Sequence, residues 1–288
     1  NNNMSKEISK ELIRQIEIIS MVLEKRNFYS EDELSDIFSE SLPSIRRDFA
    51  KIRAMGIPIH SARRCLDIDI QKFDVRTLNK LINTYLALND TEPIKNLKEI
   101  SNVFGDKTLS VFVKIVKSIN ARQMIKFEYE LDAHGQPIRR TVTPFGFFKT
   151  NRSFILAGCE NDDTGRIRYY LIEKIGNIEF LSRKSGIKDF PSMHDFLSST
   201  WGIYPHGKLE KTELLFDKSC DFLKSRIFIN NQEFEDTEEG ILFKAEIKIS
   251  NEFISWILGW GKLVKIIKPL SLRAEVINRA KEIISANK

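Results

Sequence analysis

The sequence predicts a multidomain α+β protein, and three observations carry that prediction. Apolar residues recur at three- and four-residue steps through most of the first 120 residues, as amphipathic helices require. From Met124 the period falls to two, as in half-buried strands. Beyond Trp201, strand-like and helix-like segments alternate, as in a compact α+β domain. The expected parts are a helical head with a two-stranded ribbon (residues 1–72), a helical connector (73–120), a small β-barrel or strongly bent sheet (121–190), a linker (191–204) and a C-terminal α+β domain (205–288).

In the head, Leu12, Ile16, Ile19 and Leu23 mark a first helix, interrupted at residues 27–29. Ser30 opens a short second helix, and Ser30-Glu31-Asp32-Glu33 has the pattern of a capping box. Leu34, Ile37 and Phe38 form its buried side. The third helix lies within SESLPSIRRDFAKIRAMGIPI, residues 39–59. The Ser41 hydroxyl can accept from the Ser44 amide, and Pro43 suits a first turn, whose amides have no helical partner. Ile45, Phe49, Ile52 and Met55 make its apolar stripe, and Gly56 stops it. Residues 57–59 then run extended, residues 61–64 form a polar turn, and Leu66, Ile68 and Ile70 alternate with polar residues as a second ribbon strand.

Charge is concentrated on this head. Between residues 41 and 66 there are six basic residues, Arg46, Arg47, Lys51, Arg53, Arg63 and Arg64, against one acid, Asp48. The formal net charge of +5 permits a nucleic-acid partner without demanding one. A short second helix bracing a third, with a basic ribbon beside it, suits the DNA major groove. The residues alone also allow a solvated basic face.

After the head, Val75–Leu88 reads as a helix with Leu78, Leu81, Ile82, Tyr85 and Leu86 inward. Residues 94–103 and 108–119 read as two more, the latter with Leu109, Phe112, Val113 and Val116 inward. They form a spacer, and their apolar excess leaves a dimer contact open.

In the middle segment, strands are expected at residues 125–129, 139–142, 153–158, 168–172 and 178–181. Residues 134–137 and 161–165 read as turns, and Pro144-Phe145-Gly146 separates residues 139–142 from Phe147-Phe148. Tyr129, Arg139, Arg140, Arg166, Arg168 and Tyr170 interleave basic and aromatic side chains. Such a face can clamp and stack a nucleotide or nucleic-acid strand, or be a charged surface over core aromatics. No H-E-x-x-H, G-x-S-x-G, C-x-x-C or glycine-rich phosphate loop occurs, so no enzyme, metal site or cofactor is expected.

The C-terminal part reads as strand 212–216, short helix 220–225, strand 241–249, helix 253–258, strand 264–267 and a final amphipathic helix 272–284. Its last 36 residues, from Phe253, hold seven basic residues against Glu275 and Glu282. Cys65, Cys159 and Cys220 are far apart and odd in number, which favours a reducing, cytoplasmic setting. No apolar run reaches membrane-spanning length, and the N-terminus lacks a signal-like apolar core, with Met4 reading as the native start.

Three resemblances add to this reading. The runs LSDIF (34–38), SLPSIRRDF (41–49) and IRAMGIPI (52–59) closely resemble the winged helix-turn-helix of bacterial transcriptional regulators of the DeoR type. The resemblance implies that Ser41, Ser44, Arg46 and Arg47 face DNA and that Asp48 is structural among the arginines. Residues 124–180 resemble the WYL domain, a small Sm/SH3-like ligand-sensing module, in the layout IKFEY, RRTVTPFG, SFILAGC and RYYLIEKI. Here Ser153-Phe154-Ile155 stands where Trp-Tyr-Leu is usual, Leu171 replaces a second arginine, and Glu160 stands where histidine is frequent. WGIY (201–204), ISWILGWG (254–261) and KPLSLR (268–273) resemble the C-terminal extension that follows WYL domains.

Together these resemblances imply a dimeric, sequence-specific regulator that reads a partly palindromic double-stranded operator. The middle domain would sense a nucleotide or nucleic-acid effector. Repression is the simpler mode, with a phage-defence locus as the expected setting. The rival is a nucleic-acid-binding accessory protein without an operator.

Overall fold

A computed structural model describes residues 2–62, 64–72, 74–91, 98–130, 136–149, 153–160, 167–184, 200–202, 207–229 and 231–288. Arg63, Arg166, residues 94–97, the turns at residues 134–135 and 161–165 and most of the 191–204 linker lie outside them. The fold is mixed α+β and divides into two compact units, residues 1–186 and 187–288. Among the described residues, no helix is long and apolar enough to cross a membrane.

The first unit begins with α1 (Asn2–Glu24), α2 (Glu31–Phe38) and α3 (Leu42–Ala54). The Ser30 capping box forms as expected, with both halves present. Hydrogen bonds from the Ser30 amide and hydroxyl hold the Glu33 carboxyl below its ordinary pKa. Ser41 caps α3 by accepting from the Ser44 amide at 3.3 Å. Ile45, Phe49 and Ile52 are buried, but Met55 is 40% exposed because it lies past the helix end as the C-cap. Gly56 follows at φ +87°, a left-handed conformation suited to glycine.

The ribbon is shorter and tighter than expected. β1 (Ile59–Ala62) pairs antiparallel with β2 (Cys65–Ile68). Ser61 and Ala62 therefore belong to a strand, not to a turn. Ile70 lies in a 3-10 turn, Ile70–Lys72. Asp67 is buried, because Arg26 covers it with hydrogen bonds at 2.7 and 2.9 Å.

α4 (Val75–Leu88) buries the five residues expected. α5 (Lys98–Phe104) is followed by α6 (Thr108–Ala121). α6 buries Leu109, Val111, Phe112, Val113, Ile115 and Val116, so little of its circumference is left for solvent. One apolar cluster runs from α1 and α3 through α6 into the sheet beyond. The apolar excess of this segment is thus used inside the unit. Polar links follow the same route. The Lys117 ammonium donates to Glu17 at 2.8 Å, and the Tyr85 hydroxyl donates to the other Glu17 oxygen at 2.9 Å. Lys114 donates both to Glu24 and to the Ile178 carbonyl, tying α1 to the sheet.

That sheet contains β3 (Gln123–Tyr129), β4 (Ile138–Lys149), β5 (Phe154–Glu160), β6 (Ile167–Leu171) and β7 (Ile175–Lys184). The antiparallel order is β6-β5-β4-β3-β7. The last strand thus returns beside the first, through a 3-10 turn at Ile172–Lys174. β4 is continuous where the sequence suggested a break. Pro144 is accommodated by a register shift between Pro144 and Gly146, since a bulge spares the ladder hydrogen bond that proline cannot donate.

Gly158 brings β5 against β4. A Cβ there would lie 2.3 Å from Val142 Cγ1 and 3.0 Å from the Thr143 carbonyl oxygen. Gly158→Ala is expected to destabilise the unit by about 1–3 kcal/mol through overpacking, read as a lowered midpoint in thermal or denaturant unfolding. An unchanged midpoint would show that the strands separate freely here.

The second unit is a four-stranded antiparallel sheet in the order β11-β8-β10-β9. Its strands are β8 (Leu209–Phe216), β9 (Glu233–Asp236), β10 (Ile241–Lys248) and β11 (Val264–Lys268), with α7 (Asn251–Gly259) and α8 (Leu270–Ala286). Two features differ from expectation. Residues 218–225 form a 3-10 segment, and the acidic edge strand β9 is additional. The core is aromatic, with Trp201 packed on Phe253 and Trp256 at centroid distances of 4.8 and 4.6 Å. Arg273 on α8 donates to the Ile266 carbonyl of β11 at 2.8 Å.

Candidate functional site

Two groups of side chains in the first unit have the chemistry to meet an anion. The first is built on α3. Its foundation is Asp48, which is fully buried and accepts from Arg14 Nε at 2.7 Å and Gln15 Nε2 at 2.9 Å. Arg14 also pairs with Glu40 in the turn between α2 and α3. One α1 arginine therefore fixes both the turn and the third helix. Asp48 is structural, as expected, but its partner comes from α1 and not from the neighbouring arginines.

On this frame, Arg46 and Arg47 point outward and are exposed. Arg46 remains 65% exposed in its side chain while its Nε donates to Glu31 Oε2 at 2.8 Å. Arg47 has no partner among the described residues. Lys51, near the helix end, pairs with Glu11 of α1 at 2.6 Å. Arg64 is exposed at the ribbon tip with φ +71°. Ser41 is exposed, with its hydroxyl engaged as the cap. Ser44 is a correction: at 9% exposure it is buried against the head, so it is not offered to DNA. A cavity of about 290 Å³ lies between α2, α3 and the ribbon, lined by Glu31, Arg46, Phe49, Arg53, His60 and Ser61 among others.

The second group lies on the five-stranded sheet. Glu160, at the end of β5, pairs with Arg140 Nη1 and accepts from Arg168 Nε and the Tyr170 hydroxyl, each at 3.1 Å. Tyr170 is only 4% exposed, and burial, reinforced by the Glu160 charge, pushes its hydroxyl pKa well up. Tyr129 packs edge-on against Tyr170 at 5.1 Å, and its hydroxyl accepts from the Leu171 amide at 3.2 Å. Four of the six expected residues are thus brought together: Tyr129, Arg140, Arg168 and Tyr170. Arg139 is not among them. It is exposed and lines a separate cavity of about 230 Å³ with Lys126, Glu128, Asn177 and Glu179, because adjacent strand residues face opposite sides.

Glu160 is the member of this group that sequence reasoning left out of the site. Its only signal was the presence of an acid where histidine is frequent. The Phe154-Ile155 pair, standing where Tyr-Leu is usual, is core: both residues are buried, and Phe154 meets Phe112 of α6 edge-on at 6.1 Å.

No curated protein matches the chain. Among solved structures, proteasome accessory factor B/C (PafBC) of Arthrobacter aurescens is similar over 93% of this chain and 47% of its own, with 14% identity and a TM-score of 0.27. The chain therefore spans about half the length of that protein. A structure described as a CRISPR Cas-related protein is similar over 98% of this chain and 86% of its own, with 11% identity and a TM-score of 0.44. One segment matches a protein family: residues 209–284, from β8 into α8, match the WCX domain.

Proposed function

We propose that the chain is a DNA-binding transcriptional regulator of the WYL type, reading a partly palindromic operator as a homodimer. The observation that carries this reading is α3. It is capped by Ser41, pinned from beneath by Asp48 and Arg14, and presents Arg46 and Arg47 outward beside a ribbon tipped by Arg64. A braced helix with exposed guanidinium groups suits the major groove, where arginine reads guanine and phosphate alike. Support also comes from the C-terminal segment, since WCX domains are associated with WYL domains. The reading assigns binding, not catalysis, in the cytoplasm.

In this reading the five-stranded sheet is the sensing module, through Arg140, Arg168 and Tyr170, and a nucleotide or nucleic acid is its effector. The continuous core through α6 supports coupling of the sheet to the head. Repression follows most simply, because occupancy of a promoter suffices. The order of the modules extends this to a phage-defence locus.

The test is a salt series on DNA from the chain's own upstream region and on random DNA of equal length. Non-specific affinity falls with a slope of about 0.9 in log–log terms for each phosphate neutralised. The expected result is a preference for upstream DNA that survives at moderate salt. Equal loss on both DNAs would instead indicate an accessory protein without an operator.

A further inference from the structure

The arginine cluster on the five-stranded sheet already contains an anion. Arg140 on β4 and Arg168 and Tyr170 on β6 flank β5 and converge on its terminal carboxylate, Glu160. Two guanidinium groups and a hydroxyl around one carboxylate form the donor set that suits a phosphate group. The charges sum to +1, from two arginines and one glutamate, so the site is largely self-neutralised.

The accessibility of the cluster is uneven. The Arg140 and Arg168 side chains are 37% and 41% exposed, whereas Glu160 is 15% exposed. The arginines can therefore be approached from solvent while the carboxylate lies beneath them. Donor capacity also remains. Glu160 takes one nitrogen from each guanidinium, and Arg140 Nε is shielded from solvent without a partner among the described residues.

We propose that Glu160 is a tethered occupant of a phosphate-recognition site, and that a phosphate-bearing ligand engages Arg140 and Arg168 only by displacing it. This rests on the sensing role assigned above to the sheet, and is independent of DNA reading by α3. A tethered carboxylate never dilutes, so it sets a threshold that an external phosphate must exceed. Displacement would also free the Tyr170 hydroxyl, whose ring packs on Tyr129, so that occupancy reaches the aromatic contacts of β3 and β6.

The test is calorimetric titration of the full chain with two probes, inorganic phosphate and a short 5′-phosphorylated single-stranded oligothymidylate. Wild type, Glu160→Gln and the double variant Glu160→Gln/Arg168→Ala are compared, with thermal midpoints to check folding and Glu160→Ala as a second replacement. Binding by Glu160→Gln is expected to tighten by about tenfold or more, the worth of one charge-assisted contact, and the gain should vanish in the double variant. A gain with both probes assigns the site to any accessible phosphate, and a gain with the oligothymidylate alone assigns it to a strand. Absence of a gain with either probe in a folded variant would overturn the proposal, as would a gain that persists without Arg168. Operator affinity measured on the same samples tests the sensing role separately.

Discussion

Replacing Asp48 with alanine is expected to cost about 3–5 kcal/mol of stability, because it strips a buried ion pair of one partner. Asp48 is fully buried whereas the Arg14 side chain is only partly so, and Arg14 Nε and Gln15 Nε2 both donate to this carboxylate. The alanine leaves both donors without their acceptor and opens space beneath α3. For a unit of this size, each kcal/mol corresponds to roughly 2–4 °C in thermal midpoint. DNA binding should fall with stability, since α3 loses its tie to α1. Asp48→Asn keeps the shape and one acceptor, so a smaller loss is expected. A change below about 1 kcal/mol in the alanine variant would show that the existing Arg14–Glu40 pair suffices to hold the arginine.

The second large effect is expected on DNA affinity with no loss of fold. Arg46→Ala and Arg47→Ala should each weaken binding to preferred DNA by roughly tenfold to a hundredfold, as expected for loss of an arginine contact to a base edge or phosphate. Both side chains are exposed, and the Arg46–Glu31 pair is a surface ion pair whose loss is well tolerated. Thermal midpoints should therefore stay near wild type. Where a lost contact goes only to phosphate, the salt slope should also fall by about one. Unchanged affinity in the double variant would remove α3 from the DNA interface and transfer attention to the ribbon tip around Arg64.

The parts of the fold legible in the sequence were those set by local chemistry. The Ser30 and Ser41 caps, the Gly56 stop and the inward face of α4 depend on residues within a few positions of each other. What escaped depends on distant neighbours. Ser44 reads as a free polar residue near a helix start, but packing of the head buries it. Asp67 alternates as though it were exposed, yet Arg26, 41 residues earlier, covers it. Pro144 reads as a break because a proline cannot donate to a ladder, whereas the sheet absorbs it as a bulge.

The same distinction applies to the sites. The exposure of Arg46 and Arg47 was legible because helical periodicity separates them from Ile45 and Phe49. The sheet cluster was half legible. Basic and aromatic residues on β4 and β6 were visible, but strand alternation places Arg139 on the other face, and only the register of β5 between its neighbours brings Glu160 to Arg140 and Arg168. A residue that departs from a familiar pattern carries information only when its new neighbours are known.

α6 has one more consequence. Because its buried face belongs to the same apolar cluster as α1 and β3, neither the helical head nor the sheet can lose its packing alone. Residues 1–186 should therefore unfold as one cooperative block, with amide protons of α3 and β5 sharing a common opening energy. In such a block a ligand bound at the sheet would act as a stabilising weight on the whole. Its influence on DNA reading would then be set by linked equilibria, without any hinge between the two ends.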